Sequence, residues 1–332
     1  MAPVSIREGK IPEQKQIENG RLFPKVVIPA AAGQYHNSDS QNEEMATVLE
    51  FIRKEKDWIQ HELHESGALL FRGFKSMRTA SDFNAFVDAF GWEEHTYQGA
   101  APRNNVVGRV WTANEAPLDQ DIFFHHEMAL VKDFPSKLFF FCEIAPPEGG
   151  QTAIVRSDRV ACEMESKFPS LVQKLEREGI LTCTPLPKEE NRDYFLGKSW
   201  QSHLQTNDPE EAQRRVEAGG SKLVWMEDGS ANIIAGPLPA TRTFEGYSDR
   251  KVWFNYIPAA VYKKAENYNI LLCGDGSAIP KDIIEESARV MNNECVEVKW
   301  EAGDVLLIDN LAVMHARRPS KPPRRVLVSM CK

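Results

Sequence analysis

The sequence predicts a mainly β fold with surrounding helices, built as a sandwich or a jelly roll. From residue 106 onward, short runs rich in β-branched and aromatic residues dominate the chain. Turn residues separate most of these runs, as at 146–150 and at Gly303-Asp304. The runs do not alternate strictly with helical segments, which argues against a parallel sheet of βαβ units.

The first part of the chain is expected to supply helices around this core. Residues 1–40 show little periodicity, so we expect them to form an extended N-terminal lead-in. Residues 42–65 and about 81–90 carry apolar side chains at helical spacing. Gly67 follows the first helix, as glycine often does at a helix end. The apolar run 68–71 between the two helices is predicted to be a short buried strand.

The β-rich part of the chain contains both kinds of element. Strands are predicted at about 106–111, 121–130, 137–144, 151–155, 180–184, 222–226, 231–235, 251–257, 295–300, 304–309 and 325–331. Helices are predicted at about 157–178, 209–218 and 281–292. The polar and charged stretch near 185–220 is expected to be a helical insertion or lid, so that residues 41–332 form one domain.

Composition narrows the functional classes. The 332 residues are 42% hydrophobic and 27% charged, which is typical of a folded protein outside the membrane. The net charge of −8 argues against nucleic acid or an anionic membrane as the main partner. The six cysteines form no Cys-x-x-Cys pair, and the first twenty residues lack the apolar core of a signal peptide. We therefore expect a cytoplasmic protein with reduced thiols.

The stretch 123–130, Phe-Phe-His-His-Glu-Met-Ala-Leu, carries the strongest chemical signal. On a strand, His125 and Glu127 project to the same face and could occupy neighbouring positions on a metal ion. One further histidine would complete the two-histidine, one-carboxylate triad of non-haem Fe(II) enzymes. A zinc-protease motif is excluded because Leu130, and not a histidine, occupies the fifth position of the stretch that begins with His126-Glu127. Taken alone, the stretch also fits an ordinary strand with a hydrogen-bonded histidine.

His315 is the best candidate for the third ligand. It follows the Gly303-Asp304 turn and the apolar strand 305–308, so it lies near a strand end. His95, near an aromatic turn, is the one serious rival. Less suitable positions in the lead-in, the first helix and the insertion are occupied by His36, His61, His64 and His203. The alternative for His315 itself is a capping or core histidine.

A basic stretch, 317–325, precedes the apolar strand that ends the chain. It could be a solvated loop or a nucleic-acid patch. At the start of an apolar strand, however, one of Arg324 and Arg325 must face inward, and a buried arginine requires an anionic partner. The bidentate guanidinium suits the distal carboxylate of a dicarboxylic acid.

Four motifs in this order resemble one enzyme family: 124–129, 149–152, 303–315 and Arg324-Arg325. The sequence is similar to the Fe(II)/2-oxoglutarate-dependent oxygenases of the taurine dioxygenase family. Because Glu127 stands in place of the more common aspartate, the sequence resembles the clavaminate synthase branch of this family most. Weaker similarity extends to 67–74, 101–103 and 253–255, and the resemblance covers roughly residues 65–330.

The resemblance implies a double-stranded β-helix (jelly-roll) core and a role for each matching residue. His125, Glu127 and His315 are expected to be the catalytic Fe(II) ligands. Arg325, supported by Thr152, is expected to bind 2-oxoglutarate. The implied reaction is a dioxygenase reaction that couples oxidative decarboxylation of 2-oxoglutarate to hydroxylation, desaturation or cyclisation of a small molecule. Molecular oxygen is the other substrate, and neither nucleic acid nor a membrane is an expected partner.

The sequence leaves two questions about function open. The same three ligands could serve a non-redox metal-binding jelly roll, which would not need Arg325 and Thr152. Taurine dioxygenase carries a second arginine four residues after its co-substrate arginine, whereas Ser329 stands at that place here. We therefore expect a primary substrate other than taurine, while the sequence specifies neither that substrate nor the oligomeric state.

Overall fold

The computed structural model describes residues 6–30, 38–96, 103–113, 116–129, 133–191, 197–247, 250–255 and 271–332. The α-helices are α1 Ser38–Lys54, α2 Lys56–Ser66, α3 Ala80–Asp88, α4 Ser157–Lys167, α5 Pro169–Glu178, α6 Trp200–Leu204, α7 Pro209–Ala218 and α8 Lys281–Glu294. The strands of the first half are β1 Ile6–Gly9, β2 Lys15–Gln16, β3 Leu22–Phe23, β4 Lys25–Pro29, β5 Ala68–Phe71, β6 Asn105–Val107, β7 Val110–Thr112, β8 Ile122–His125, β9 Lys137–Ile144 and β10 Thr152–Arg156. Those of the second half are β11 Ile180–Leu186, β12 Lys222–Trp225, β13 Ala231–Leu238, β14 Thr241–Arg242, β15 Val252–Trp253, β16 Leu271–Cys273, β17 Val296–Val298, β18 Val305–Asp309, β19 Val313–Arg317 and β20 Arg325–Cys331.

Two sheets form the centre of the molecule. The large sheet has the strand order β1-β4-β5-β18-β9-β20-β7-β6, and the small sheet has the order β17-β10-β19-β8. Neighbouring strands are antiparallel except for the parallel pair of β4 and β5. A third sheet, β12-β13-β11-β16, lies outside this pair and carries α6 and α7.

The apolar side chains of the central strands show how the layers pack. On β9, Leu138 and Phe140 join Ile154 of the small sheet in one buried cluster, so the two sheets face each other. Phe139 and Phe141 point to the opposite face and pack with α1, α2 and α3. Each buried phenylalanine contributes roughly 1.5–3 kcal/mol. Helices α4, α5 and α8 cover the outer face of the small sheet in the same way.

The structure agrees with the sequence prediction in arrangement and differs in proportion. Helices surround the sheets as expected, but helices and strands contain similar numbers of residues, so the fold is mixed α and β rather than mainly β. Each of the two longer predicted helices is divided. The division between α4 and α5 falls at Pro169, which cannot donate the helical hydrogen bond. The division between α1 and α2 falls at Glu55.

Three other regions have a definite structure. The expected lead-in contains β1 to β4, of which β1 and β4 extend the large sheet. The expected insertion near 185–220 contains α6 and α7, which pack on β12 and β13 around a separate apolar cluster. His36, Leu130 and residues 256–257 of the predicted strand 251–257 lie outside the described residues. No helix that the structure describes is long and apolar enough to cross a bilayer.

Candidate metal centre

The pairing of β8 with β19 brings two of the predicted ligands together. His125 and His315 are register partners across these antiparallel strands. Their imidazole ring centroids lie 4.2 Å apart. Since directly opposed residues on neighbouring strands project to the same face, both rings point into the space between the two sheets.

Glu127 reaches the same point although it lies beyond the end of β8. The strand stops at His125, and Met128 adopts a left-handed conformation with φ of 58°. Even so, Glu127 Oε2 lies 3.8 Å from His315 Nε2. One donor atom from each of His125, Glu127 and His315 falls within 4.8 Å of the others. The arrangement therefore offers two imidazoles and one carboxylate on one side of a common point, the donor set that suits non-haem Fe(II).

The protonation states also favour a metal ion. His125 Nδ1 lies 2.7 Å from the carbonyl oxygen of Phe123, so Nδ1 carries the hydrogen and donates it in a hydrogen bond, which leaves Nε2 with a lone pair. Burial lowers the pKa of His125, although the Glu127 carboxylate opposes this shift. Burial, reinforced by the charges of His125 and Arg103, holds the pKa of His315 well below its usual range. Both rings are thus neutral at physiological pH, the form that binds metal.

Arg103 is a charged neighbour of Glu127. In the sequence, only its place in the family-like stretch 101–103 pointed to it. Its Nη2 donates to Glu127 Oε2 at 2.9 Å, and both side chains are only 6% exposed. A buried carboxylate without a counter-charge would be costly, so Arg103 stabilises Glu127 in the absence of metal.

Thr152 lies on the same inner face, two residues along β10 from Ile154, the register partner of His315. It is buried, and its Oγ1 accepts a hydrogen bond of 3.1 Å from Trp300 Nε1. Because the indole occupies the acceptor side of the hydroxyl, the hydroxyl hydrogen is available to donate to a ligand. Trp300 was not singled out in the sequence, since it lies beyond β17 and carries no local motif.

Arg324, rather than Arg325, turns toward this face. Its side chain is partly buried, and its Nε donates to the carbonyl oxygen of Gly150 at 3.2 Å. Burial, together with the charge of Arg317, lowers the pKa of Arg324 to about 10. Among the described residues, no carboxylate forms an ion pair with Arg324. A cation in this position needs an anionic partner that the described residues do not supply.

Arg325, the residue expected from sequence to bind the co-substrate, has a different environment. Its side chain is 46% exposed and forms an ion pair with Glu143. Along β20, Val328 faces the space between the two sheets, whereas Leu327 packs against the helices, so alternation places Arg325 on the helix-facing side. The inward position therefore falls to Arg324.

Two glycines allow Arg324 to approach. Gly149 and Gly150 have φ of 71° and 69°, in the left-handed region. A Cβ on Gly149 would lie 2.2 Å from the Pro319 carbonyl oxygen, and one on Gly150 would lie 3.1 Å from Arg324 Cδ. A larger residue at Gly150 would therefore crowd the arginine, and one at Gly149 would clash with the adjacent backbone.

The other histidines lie elsewhere. His95, the rival for the third ligand, is buried with its Nε2 3.5 Å from Asp133 Oδ1 and does not join the three donors. His126 points away from them and is hydrogen-bonded to the backbone of Asn310 and to Ser157. His64 stacks on Tyr247 at 4.3 Å.

The chain is similar to proteins of one enzyme family. Residues 38–331 match the family described as taurine catabolism dioxygenase TauD, TfdA family. A clavaminate synthase-like protein of Arabidopsis thaliana is 45% identical over the full length of both chains. The dapdiamide synthesis protein DdaC of Enterobacter agglomerans is 26% identical over 82% of this chain and 84% of its own. The crystal structure of PvcB from Pseudomonas aeruginosa covers 99% of this chain and 91% of its own, with a TM-score of 0.53 at 15% identity.

The family match identifies the protein as a non-haem iron oxygenase. The chain belongs to the TauD/TfdA dioxygenase family. It is a 2-oxoglutarate-dependent dioxygenase, with Fe(II) as its metal and 2-oxoglutarate as its co-substrate.

Proposed function

We propose that His125, Glu127 and His315 hold the Fe(II) ion of this dioxygenase. The proposal is supported by the convergence of their three donor atoms and by the neutral state of both imidazoles. When bound, Fe(II) supplies oxygen activation coupled to decarboxylation of the co-substrate. The side chains supply a fixed set of three ligands that leaves the opposite positions open.

We also propose that Arg324, in place of Arg325, binds the distal carboxylate of 2-oxoglutarate, with Thr152 as a second donor. This proposal depends mainly on one observation: Arg324 is turned inward, and no carboxylate among the described residues pairs with it. Thr152 is two residues along β10 from Ile154, the register partner of His315, and two residues of a strand span roughly 6.5 Å. That distance suits a five-carbon dicarboxylate with one end at the metal and the other at Arg324.

The strand order supports a double-stranded β-helix as the core. Four neighbouring strands of the large sheet, β18-β9-β20-β7, face the four strands β17-β10-β19-β8. Consecutive strands from β7 to β10 alternate between the two sheets, as they do in a jelly roll. We propose that residues 41–332 form one oxygenase domain around this core, with β1 and β4 added at the edge of the large sheet.

The remaining partner assignments are also proposals. The basic stretch 317–325 does not form an open cationic patch, because Arg317 binds backbone carbonyls and Arg318 pairs with Glu297. This supports the expectation that nucleic acid is not a partner. The position four residues after Arg324 is Val328, a buried apolar residue, so an anion-binding arginine is missing there as well and a substrate other than taurine is favoured. All six cysteines are free thiols, in keeping with a cytoplasmic location.

The alternative function, a non-redox metal-binding jelly roll, is less well supported. A structural metal site has no use for an inward arginine without a counter-ion or for the Trp300–Thr152 hydrogen bond. An anaerobic titration separates the two functions. Fe(II) added to metal-free protein, followed by 2-oxoglutarate, should give the visible charge-transfer band of the chelate, and His315→Ala should abolish it together with turnover. Stoichiometric Fe(II) binding without a band would favour the non-redox alternative.

A further inference from the structure

Glu127 occupies a position that the sheet itself does not hold. The ladder between β8 and β19 stops at His125, and the next two residues leave the strand through the left-handed Met128. A residue beyond the end of a ladder loses the hydrogen bonds that fix strand backbone. A metal ligand in that position needs some other restraint, since a small rotation of its backbone moves the carboxylate away from the common point.

The side chain of Asn310 supplies such a restraint. Its Oδ1 accepts a hydrogen bond of 2.8 Å from the Glu127 backbone N–H. Its Nδ2 donates to the Glu127 carbonyl oxygen at 3.1 Å and to the Pro135 carbonyl oxygen at 2.7 Å. The primary amide thus binds both peptide groups of the ligand residue, as a neighbouring strand would do. Asn310 is fully buried, and both of its amide hydrogens are used.

The backbone of Asn310 extends the restraint to the preceding residue. Its carbonyl oxygen lies 2.6 Å from His126 Nδ1, which must carry the proton because a carbonyl only accepts. His126 Nε2 then accepts from the Ser157 hydroxyl at 2.6 Å, and the ring stacks on Phe254. One residue at the end of β18 therefore holds two consecutive residues of the ligand segment.

We propose that Asn310 is a positioning residue for the metal site: through the two peptide groups of Glu127, it sets the direction in which the carboxylate points. The proposal rests on Fe(II) coordination by Glu127 as proposed above. Neither close relative of asparagine can replace it. Aspartate lacks the two N–H donors, and glutamine is one methylene too long for the buried position.

The test is a double-mutant cycle on Fe(II) affinity, measured anaerobically by competition with a chromophoric chelator. Asn310→Asp and the uncharged Asn310→Ser are made in the wild-type and Glu127→Ala backgrounds. In the wild-type background each is expected to weaken Fe(II) binding by roughly 10- to 100-fold, the usual cost of losing a residue that orients a ligand. In the Glu127→Ala background the same changes should alter affinity by less than about twofold, because their effect passes through Glu127.

Controls separate positioning from general loss of stability. Thr79→Ala removes the N-cap of α3, remote from the metal site, and should lower the melting temperature without altering Fe(II) affinity. If the Asp variant does not fold, the Ser variant carries the test. Equal losses of affinity in both backgrounds, or none in the wild-type background, would overturn the role of Asn310. Failure of wild-type protein to bind Fe(II) would instead reject the proposed metal site.

Discussion

The two ends of the candidate site are built in different ways, although β19, which carries His315, and β10, which carries Thr152, are neighbours in the small sheet. At the metal end, which consists of His125, Glu127 and His315, the first two residues are hydrogen-bonded to protein groups and the third lies within the β19 ladder. At the carboxylate end, which consists of Thr152, Trp300 and Arg324, a cation and a hydroxyl hydrogen remain without an anionic partner in the described chain. The metal end is thus pre-organised, whereas the carboxylate end is completed by its ligand.

The sharpest test of this difference compares the adjacent arginines. Arg324→Gln should weaken 2-oxoglutarate binding by at least roughly 30-fold, equivalent to about 2 kcal/mol for loss of a buried charged partner. Arg325→Gln is the matched control and should change binding by less than about twofold, because Arg325 is exposed and paired with Glu143. Titration of the Fe(II)-loaded variants with 2-oxoglutarate under argon measures both. A larger effect at Arg325 would return the role to that residue.

A smaller effect is expected at the hydroxyl. Thr152→Val removes a donor to a carboxylate and should weaken 2-oxoglutarate binding by roughly tenfold or somewhat more. Trp300→Phe keeps the ring but removes the N–H that orients this hydroxyl, with an expected loss of roughly two- to tenfold. Fe(II) affinity in the absence of 2-oxoglutarate should be unchanged in both, since neither side chain belongs to the metal end. A parallel fall in metal affinity would contradict the division into two ends.

The sequence was informative about the metal end for a physical reason. His125 and Glu127 are two residues apart, and His315 follows a strong apolar strand, so local patterns made them candidates and the ordered family motifs then selected them. The exact path was not predictable, because the strand ends at His125 and Glu127 is held by Asn310, 183 residues away.

The carboxylate end depended on features that local patterns do not encode. The choice between Arg324 and Arg325 follows from which face of β20 meets the small sheet. Both faces of this strand are apolar, so the sequence alone did not distinguish the two arginines. Trp300 and Arg103 take part through long-range packing alone. The layers of the fold were predictable from alternating apolar residues, whereas the joining of β1 and β4 to the large sheet was not, since short strands rich in turn residues carry little periodicity.

A separate effect, on stability rather than on ligand binding, concerns a buried carboxylate next to the metal end. Burial raises the pKa of Asp309 to about 6, although a hydrogen bond from Tyr247 opposes the shift. The folded state therefore binds a proton between about pH 4 and pH 6 that the unfolded state has released, so this group makes stability fall as pH rises through that range. Above pH 6 the unfavourable contribution is of the order of 2–3 kcal/mol.

Asp309→Asn tests that contribution. The difference in the free energy of unfolding between the variant and the wild-type protein should change by about this amount from pH 4 to pH 7, in favour of the variant at the higher pH. Denaturant titrations at a series of pH values measure it. Fe(II) affinity at pH 7 should not change by more than about twofold, because Asp309 does not contact the ligands. A pH-independent difference would show that Asp309 titrates normally.

The most direct test of both ends of the site is a crystal structure of the protein loaded with Mn(II) in place of Fe(II) and with 2-oxoglutarate. We expect one anomalous peak bonded to His125, Glu127 and His315. Density for the co-substrate should run from that peak to the Arg324 guanidinium and the Thr152 hydroxyl. A metal peak elsewhere, or a distal carboxylate bound by Arg325, would contradict this expectation.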